Sequence, residues 1–476
     1  MEKKLDRRTF LKLGAGAGAA AFLAACAPTA TEAPPAQTGG EEATAVPTST
    51  PRPPTPEPTP IPTAPPKQIG EGANEIVVWY QDWDGANRIM NFVTPLFVED
   101  YPDVSVNLQA IGYTDLFNKM LPAIASGTEG DVMMMYTDWV VGTDVRQVFL
   151  DITEPAGGLA YWQEMIFPAA FTAIDVPEGK VFYLPWLAGI RGGAMTVNMD
   201  HCEEAGIDYL NFGSFEEVVE AGKAMTQRTA DGKISRSGYS PRSSQYQLLW
   251  SLIWQLGGNM FDKETGVWSH ATDEGEAAAQ IIYDLYWKEE VCDFELFTSE
   301  YEAVSQQLVS IWGDGAWTMS AQTDVAGVAC DNIVTPFLAN AVEQVLYPQH
   351  AAGWGLSRRL SDDADKLDAA LAYALLIVGA DACLQALDFY SGVMMSKPLY
   401  DDPRIEEVKF GIPSKRVALG MWPVARYTQD HVANQAPAAE EFDLAMRNEK
   451  SIPEALAAMD AYLQEQEDAA RERIGM

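Results

Sequence analysis

Five segments between residues 76 and 136 alternate between the two hydrophobic periods, and this alternation constrains the fold more than any other feature of the chain. Ile76-Val77-Val78-Trp79-Tyr80 is a short apolar run rich in β-branched and aromatic residues, the pattern of a buried strand. Over residues 86–101 the apolar positions Ile89, Phe92, Val93, Leu96 and Phe97 fall at helical spacing, and Pro102 stops the run. Val104, Val106, Leu108 and Ala110 then alternate with polar residues as a second strand. Thr114 is placed to cap a helix carrying Leu116, Phe117, Met120, Leu121 and Ile124 and closed by Gly127, and residues 131–136 form a third apolar strand. A βαβαβ run with short connections predicts an α/β fold with a mainly parallel sheet and right-handed crossovers. In open α/β sheets, ligands bind beyond the carboxyl ends of the strands. Those ends lead into Gln81-Asp82-Trp83-Asp84-Gly85 and Thr137-Asp138-Trp139, each setting carboxylates beside an indole. Neither has the glycine-rich turn that a dinucleotide needs.

Two segments of different character precede this region. Residues 1–26 carry five basic residues against two acidic ones, followed by a short apolar run rich in small residues, the order of a secretory signal. Arg7-Arg8-Thr9-Phe10-Leu11-Lys12 resembles the bacterial twin-arginine export signal, and Leu23-Ala24-Ala25-Cys26 resembles a lipobox, which implies lipidation of Cys26. Stable anchoring through Cys26 would take two or more acyl chains. Residues 27–73 are dominated by proline, threonine, alanine and glutamate. Such a segment cannot offset its ordering entropy by burial, so a disordered linker is expected, reaching on the order of 100 Å if extended.

The whole chain has a formal net charge of -36, with 68 acidic residues against 32 basic ones. A surface that negative repels phosphate backbones, which excludes nucleic acid as a partner.

Several runs, in order, carry a resemblance. Ile76-Val77-Val78-Trp79-Tyr80 with its acidic, aromatic loop, Phe97-Val98-Glu99-Asp100-Tyr101-Pro102, and Ala125-Ser126-Gly127 before Asp131-Val132 are similar to the N-terminal lobe of the extracellular solute-binding proteins of sugar ABC importers. Gly179-Lys180-Val181-Phe182-Tyr183-Leu184-Pro185 and Thr196-Val197-Asn198-Met199-Asp200 resemble that family's lobe-crossing strand and the strand after it. The helix over 211–225, opened by a capping box at Ser214 and Glu217, also matches, as do Leu256-Gly257-Gly258, Gly315-Ala316-Trp317-Thr318-Met319 and Gly353-Trp354-Gly355-Leu356. The resemblance spans roughly residues 74–476. It implies two lobes joined by a hinge, each a mainly parallel sheet flanked by helices, closing on a ligand. The first lobe is expected at 74–186 plus 345–395 and the second at 187–344 plus 396–476. The family implies a monomeric, non-enzymatic lipoprotein on the outer face of the bacterial cytoplasmic membrane, with a sugar ligand and permease transmembrane subunits as partners; no cofactor is expected, and the sequence singles out no metal ligands.

Sugar rings present flat C–H faces that stack on aromatic rings, while their hydroxyls pair with carboxylates and arginine. With 13 tryptophans in the chain, those beside acidic residues in loops are the first candidates: Asp82, Trp83, Asp84, Asp138, Trp139 and Trp317. Trp186, Arg191, Tyr246 and Trp354 suit either ligand contact or core. Asp82 equally suits capping the next helix. Trp422, with Arg426 four residues on, matches the place where the family sets a late stacking aromatic. Trp79, Trp250, Trp254 and Trp287 are expected in the core.

His201, His270, His350 and His431 are scattered, each expected as a surface or satisfied core residue. No H-E-x-x-H, G-x-S-x-G, Walker or C-x-x-C motif occurs. A carbohydrate hydrolase stays open, because it needs only two acids across a sugar. Another polar solute, a polyamine or glycerol phosphate, is a further alternative. The spacings of Cys202, Cys292, Cys330 and Cys383 favour no disulfide pairing, and buried free thiols are expected. Residues 464–473 read as a polar helix end with solvated charges.

Overall fold

A computed structural model of the protein describes residues 68–475, except 141–143, 173–178, 189, 349–350 and 429. The export and lipidation motifs of residues 1–26, including Cys26, lie outside the described residues, as do most of the 27–73 segment and His350. The alternation between residues 76 and 136 folds as strand Asn74–Gln81, helix Asp84–Asp100, strand Val104–Ile111, helix Tyr113–Ser126 and strand Val132–Tyr136. Gly127 ends the second helix at φ 68°, a left-handed conformation that suits glycine, and its N–H reaches back to the carbonyls of Ala123 and Ile124. The start of that helix differs from expectation. Gly112 is the N-cap and no side chain caps the end, so Thr114 lies within the first turn. The fold also extends further back than residue 74, because Gln68–Ile69 pairs antiparallel with Val106 and Asn107.

Two sheets organise the molecule. The larger runs Gln68–Ile69, Val104–Ile111, Asn74–Gln81, Val132–Tyr136, Ala351–Leu356, Tyr183–Ala188, Val393–Met394. The smaller runs Cys330–Val334, Ala194–Asn198, Val309–Trp312, Ile234–Ser240, Gln227–Arg228. Both are mixed, which corrects the expectation of mainly parallel sheets. Asn74–Gln81 lies parallel to both of its neighbours, as its crossover helices require. Ala351–Leu356, Tyr183–Ala188 and Val393–Met394 join antiparallel to their neighbours. These later strands return from distant parts of the chain, so their direction follows the path of the chain and not a local βαβ pattern. In the smaller sheet, Val309–Trp312 is parallel to Ile234–Ser240 and antiparallel to Ala194–Asn198.

Trp79, Trp250 and Trp254 are buried as expected, whereas Trp287 is 49% exposed. Trp287 is the last residue of helix Asp273–Trp287, where the packed face runs out, and its indole N–H donates to the carbonyl of Met446 at 2.8 Å. The four cysteines after Cys26 are buried and unbridged. Burial pushes the Cys202 thiol up to about 11 and the Cys383 thiol up to about 12. His201, His270 and His431 are buried with hydrogen-bond partners. No single helix among the described residues is long and apolar enough to cross a membrane.

The carboxyl-terminal helix Ile452–Ile474 departs most from its sequence pattern. Its charges are not all solvated: Glu467 is fully buried and binds both His431 and Arg471. A helical polar stretch looks the same in sequence whether its partners are water or a histidine 36 residues away.

Candidate functional site

Strand Val132–Tyr136 is buried along its length, and at its carboxyl end the chain turns into the short helix Thr137–Val140, which carries Asp138 and Trp139. Thr137 Oγ1 accepts from the N–H of Ala351 at 3.1 Å, tying this turn to the neighbouring strand. On the far side of strand Asn74–Gln81, strand Val104–Ile111 passes through Gly112 into the helix that begins with Tyr113. The two strand ends therefore meet in an aromatic cluster. The rings of Tyr113, Tyr136 and Trp139 lie 4.9–5.6 Å apart, with Phe117 5.8 Å from Trp139. The Trp139 indole N–H donates to Tyr113 Oη at 3.3 Å, and Tyr136 Oη donates to Gln81 Oε1 at 2.6 Å. Burial, and then the nearby Asp138 charge, push the Tyr113 phenol up to about 12, so it stays a neutral hydroxyl.

Tyr113, Phe117, Thr137, Asp138 and Trp139 form one wall of a cavity of about 580 Å³. The rest of the lining comes from Arg191, from Tyr246 and Gln247 at the start of helix Gln245–Gln255, from Tyr347, from Tyr427, Thr428 and Asp430, and from residues 432–436 and 439. The volume falls in the range of small-molecule sites. The hydroxyls of Tyr246 and Tyr427 are buried with no hydrogen-bond partner among the described residues. A buried, unpaired hydroxyl costs free energy until something pairs with it. Asp430 accepts from the N–H of Val432 at 2.9 Å, from Gln435 Nε2 at 3.2 Å and from the Thr428 hydroxyl. Burial raises its carboxyl above the usual range, and the Thr428 and Val432 bonds oppose that rise. Arg191 is the one cation among the described lining residues. Its Nε donates to the buried carboxylate of Asp314 at 2.7 Å and its guanidinium lies 5.5 Å from the ring of Trp317. The cavity thus offers rings, hydroxyls and two carboxylates, and its arginine is already paired.

The structure brings Asp138, Trp139, Arg191 and Tyr246 together in this cavity. It places the other sequence candidates elsewhere. Asp82 is exposed and accepts from Asn87 Nδ2 at 2.9 Å; it does not cap the following helix, whose N-cap is Trp83. Trp83 packs against Tyr390 at 4.6 Å, over Gly85, where a Cβ would come within 1.9 Å of the ring. Asp84 pairs with Arg88 at the surface. Trp186 and Trp354 lie in the core with centroids 5.6 Å apart on neighbouring strands. Trp317 is half-buried beneath Arg191 and sits behind the lining residues. Trp422 is 2% exposed and stacks on Phe167 at 5.7 Å. Arg426 pairs with Glu343 and lies over Trp254 at 5.1 Å. Sequence reading missed Tyr113, Tyr347, Tyr427 and Asp430. The signal available for the last two was the same one used for Trp83: an aromatic residue close to a carboxylate, here Tyr427-Thr428 and Asp430. Among the described residues, no group of three His, Cys, Asp or Glu side chains could hold a metal ion.

The family model of bacterial extracellular solute-binding proteins matches residues 82–342, more than half of the chain. An arabinooligosaccharide-binding protein of Halalkalibacterium halodurans is 24% identical over 230 residues, 47% of this chain and 48% of that protein. The chain spans about half or less of the length of the curated relatives it matches. Among solved structures, maltose-bound MalE3 of T. maritima is similar with a TM-score of 0.65 at 17% identity, covering 82% of this chain and 99% of that one. UgpB from Mycobacterium tuberculosis in complex with glycerophosphocholine gives a TM-score of 0.69 at 15% identity, covering 85% and 100%. At such identities the likeness is one of fold: a two-lobed α/β architecture.

Proposed function

Because the chain belongs to the bacterial extracellular solute-binding protein family, we propose that it is the substrate-binding lipoprotein of an ABC importer, taking a sugar or oligosaccharide between its lobes and delivering it to the membrane permease. The observation that carries this reading is the 580 Å³ cavity, whose lining combines the ring cluster at the strand ends with Tyr246, Tyr427 and Asp430. Rings suit the C–H faces of a sugar, and the hydroxyls and carboxylates suit its O–H groups. Binding is reversible and without turnover. The ligand favours the closed arrangement by touching residues of both lobes, since only differential contact shifts such an equilibrium. We take the lobes as 74–186 plus 345–395 and 187–344 plus 396–476, and the protein as an exported monomer tethered through Cys26 by the 27–73 linker.

A polyamine is the second reading, favoured by the same rings together with Asp138 and Asp430, since aromatic cages with nearby carboxylates hold cations. A glycerol phosphodiester is less well served, because Arg191 is engaged by Asp314. A thermal-shift screen of the purified protein over maltotriose, arabinotriose, spermidine and glycerophosphocholine separates these classes. Saturation at 100 times Kd adds about 2.7 kcal/mol to stability. A shift with a saccharide and no released product is the expected result. A shift with spermidine alone, or product formation from a saccharide, overturns it.

A further inference from the structure

Two histidines are held in the same way by one helix. Asp460 Oδ1 accepts from both the N–H and Nδ1 of His270 at 2.7 Å, and its Oδ2 accepts from the N–H of Ala271 at 2.9 Å. Seven residues on, two turns along the same face of helix Ile452–Ile474, Glu467 Oε2 accepts from the N–H of His431 at 2.7 Å and its Oε1 from His431 Nδ1 at 2.8 Å. Arg471 Nε adds a third bond to Glu467 Oε1 at 2.7 Å, and Tyr462 Oη donates to the carbonyl of Asn434 at 3.0 Å. A fully buried carboxylate is tolerable only when paired and hydrogen-bonded. Burial alone would raise the Glu467 carboxyl, and the bonds from His431 and Arg471 outweigh it, holding the group below the usual range.

The two clasps secure different things. The Asp460 clasp holds residues 270–271, which do not line the cavity. The Glu467 clasp holds residue 431, between Thr428 and Asp430 on one side and Val432 to Ala436 on the other, all of which do. That stretch has no regular secondary structure before helix Ala436–Met446, so its conformation depends on such side-chain bonds.

We propose that Glu467 and His431 are positioning residues for the ligand: the carboxyl-terminal helix, through this clasp, fixes the wall that carries Tyr427 and Asp430. This rests on the cavity being the ligand site. A substitution in the clasp loosens the wall without removing any group that touches the ligand.

The test compares His431→Ala, His431→Asn, Glu467→Gln and Asp460→Ala in the full chain. Calorimetry with maltotriose and arabinotriose reads affinity, and hydrogen exchange without ligand reads the segments 428–436 and 266–271. His431→Ala is expected to raise Kd about tenfold or more, the scale of a lost charge-assisted bond. It is also expected to speed exchange across 428–436. His431→Asn places an amide donor near the position of Nδ1 and brings Kd back to within about threefold of wild type. Asp460→Ala is expected to lower Tm comparably and to speed exchange in 266–271, leaving Kd within about threefold. Should His431→Ala not fold, Glu467→Gln, which keeps the side-chain volume, carries the same readouts. Equal loss of affinity in the two clasps, or unchanged exchange across 428–436 when the His431 clasp is broken, overturns the proposal. If the wild type binds neither saccharide, the sugar reading fails while the exchange arm still decides whether the clasp fixes the wall.

Discussion

The two walls of the cavity are built on opposite principles. On the first, Tyr113, Phe117 and Trp139 line the cavity and pack at tilted or edge-on angles, backed by Tyr136, and the polar atoms of Tyr136 and Trp139 bond within the protein. On the second, Tyr246 and Tyr427 bury hydroxyls with no partner among the described residues, Asp430 is held above its usual carboxyl range, and the backbone is secured by side-chain clasps. The first wall is complete without a ligand, so it contributes surface. The second is left polar and unpaired at a cost in stability, which a hydroxylated ligand relieves. On the proposed reading, the packed face provides stacking and the unpaired one provides discrimination.

Truncating the first wall breaks this contrast most severely. Trp139→Ala removes a buried indole, and denaturant unfolding is expected to show a loss of about 3–5 kcal/mol, together with weaker saccharide binding. A loss of affinity with no loss of stability would mean that the ring is not part of the packed wall.

Behind the second wall lies Glu300, a buried carboxyl that accepts from the Ser240 hydroxyl at 2.6 Å and from the N–H of Ser243 at 3.1 Å, just before the helix that carries Tyr246. Burial, and then the Asp314 charge, push it up to about 7 from 4.5. Its folded state therefore binds more protons than the unfolded chain between those values. Stability tied to Glu300 is fully present below pH 4.5 and falls as pH rises to about 7, by about 3 kcal/mol in all. Glu300→Gln is expected to flatten that slope in Tm measured from pH 4.5 to 7.5. An unchanged slope removes Glu300 as its source.

Smaller and opposite in sign for the two observables is Tyr427→Phe. Removing an unpaired buried hydroxyl leaves the free protein as stable or up to about 1 kcal/mol more so, while saccharide affinity falls by about tenfold. Calorimetry and a melting curve on the same sample decide it, and a drop in Tm with unchanged affinity would place that hydroxyl in a structural role. The smallest effect is expected at Arg426, half-buried at the surface and paired with Glu343: Arg426→Ala changes stability by about 1 kcal/mol or less and leaves affinity unaltered.

The first wall was also the more legible in sequence. Asp138 and Trp139 follow a strand end at once, and a βαβαβ pattern dictates where such ends point. Tyr427 and Asp430 occupy a stretch without periodicity, placed by contacts to a helix some 35 residues further on, and no local pattern encodes that. Tryptophan was a poor guide by itself. Trp186 and Trp354 sit beside loops in the sequence but face the core, because the strands carrying them are covered on both sides. The same limit applied to strand direction: crossover helices fix the parallel strands, while the antiparallel ones depend on where distant segments re-enter the sheet.

On the proposed reading, this cavity binds a saccharide between its ring wall and the wall that carries Tyr246, Tyr427 and Asp430. Isothermal titration of the purified wild-type protein and Tyr427→Phe with arabinotriose and maltotriose tests it most directly. One-to-one binding of at least one of the two by the wild type is expected, with about tenfold weaker binding by the variant. Absence of binding heat with both saccharides, or identical affinities in the two proteins, would contradict it.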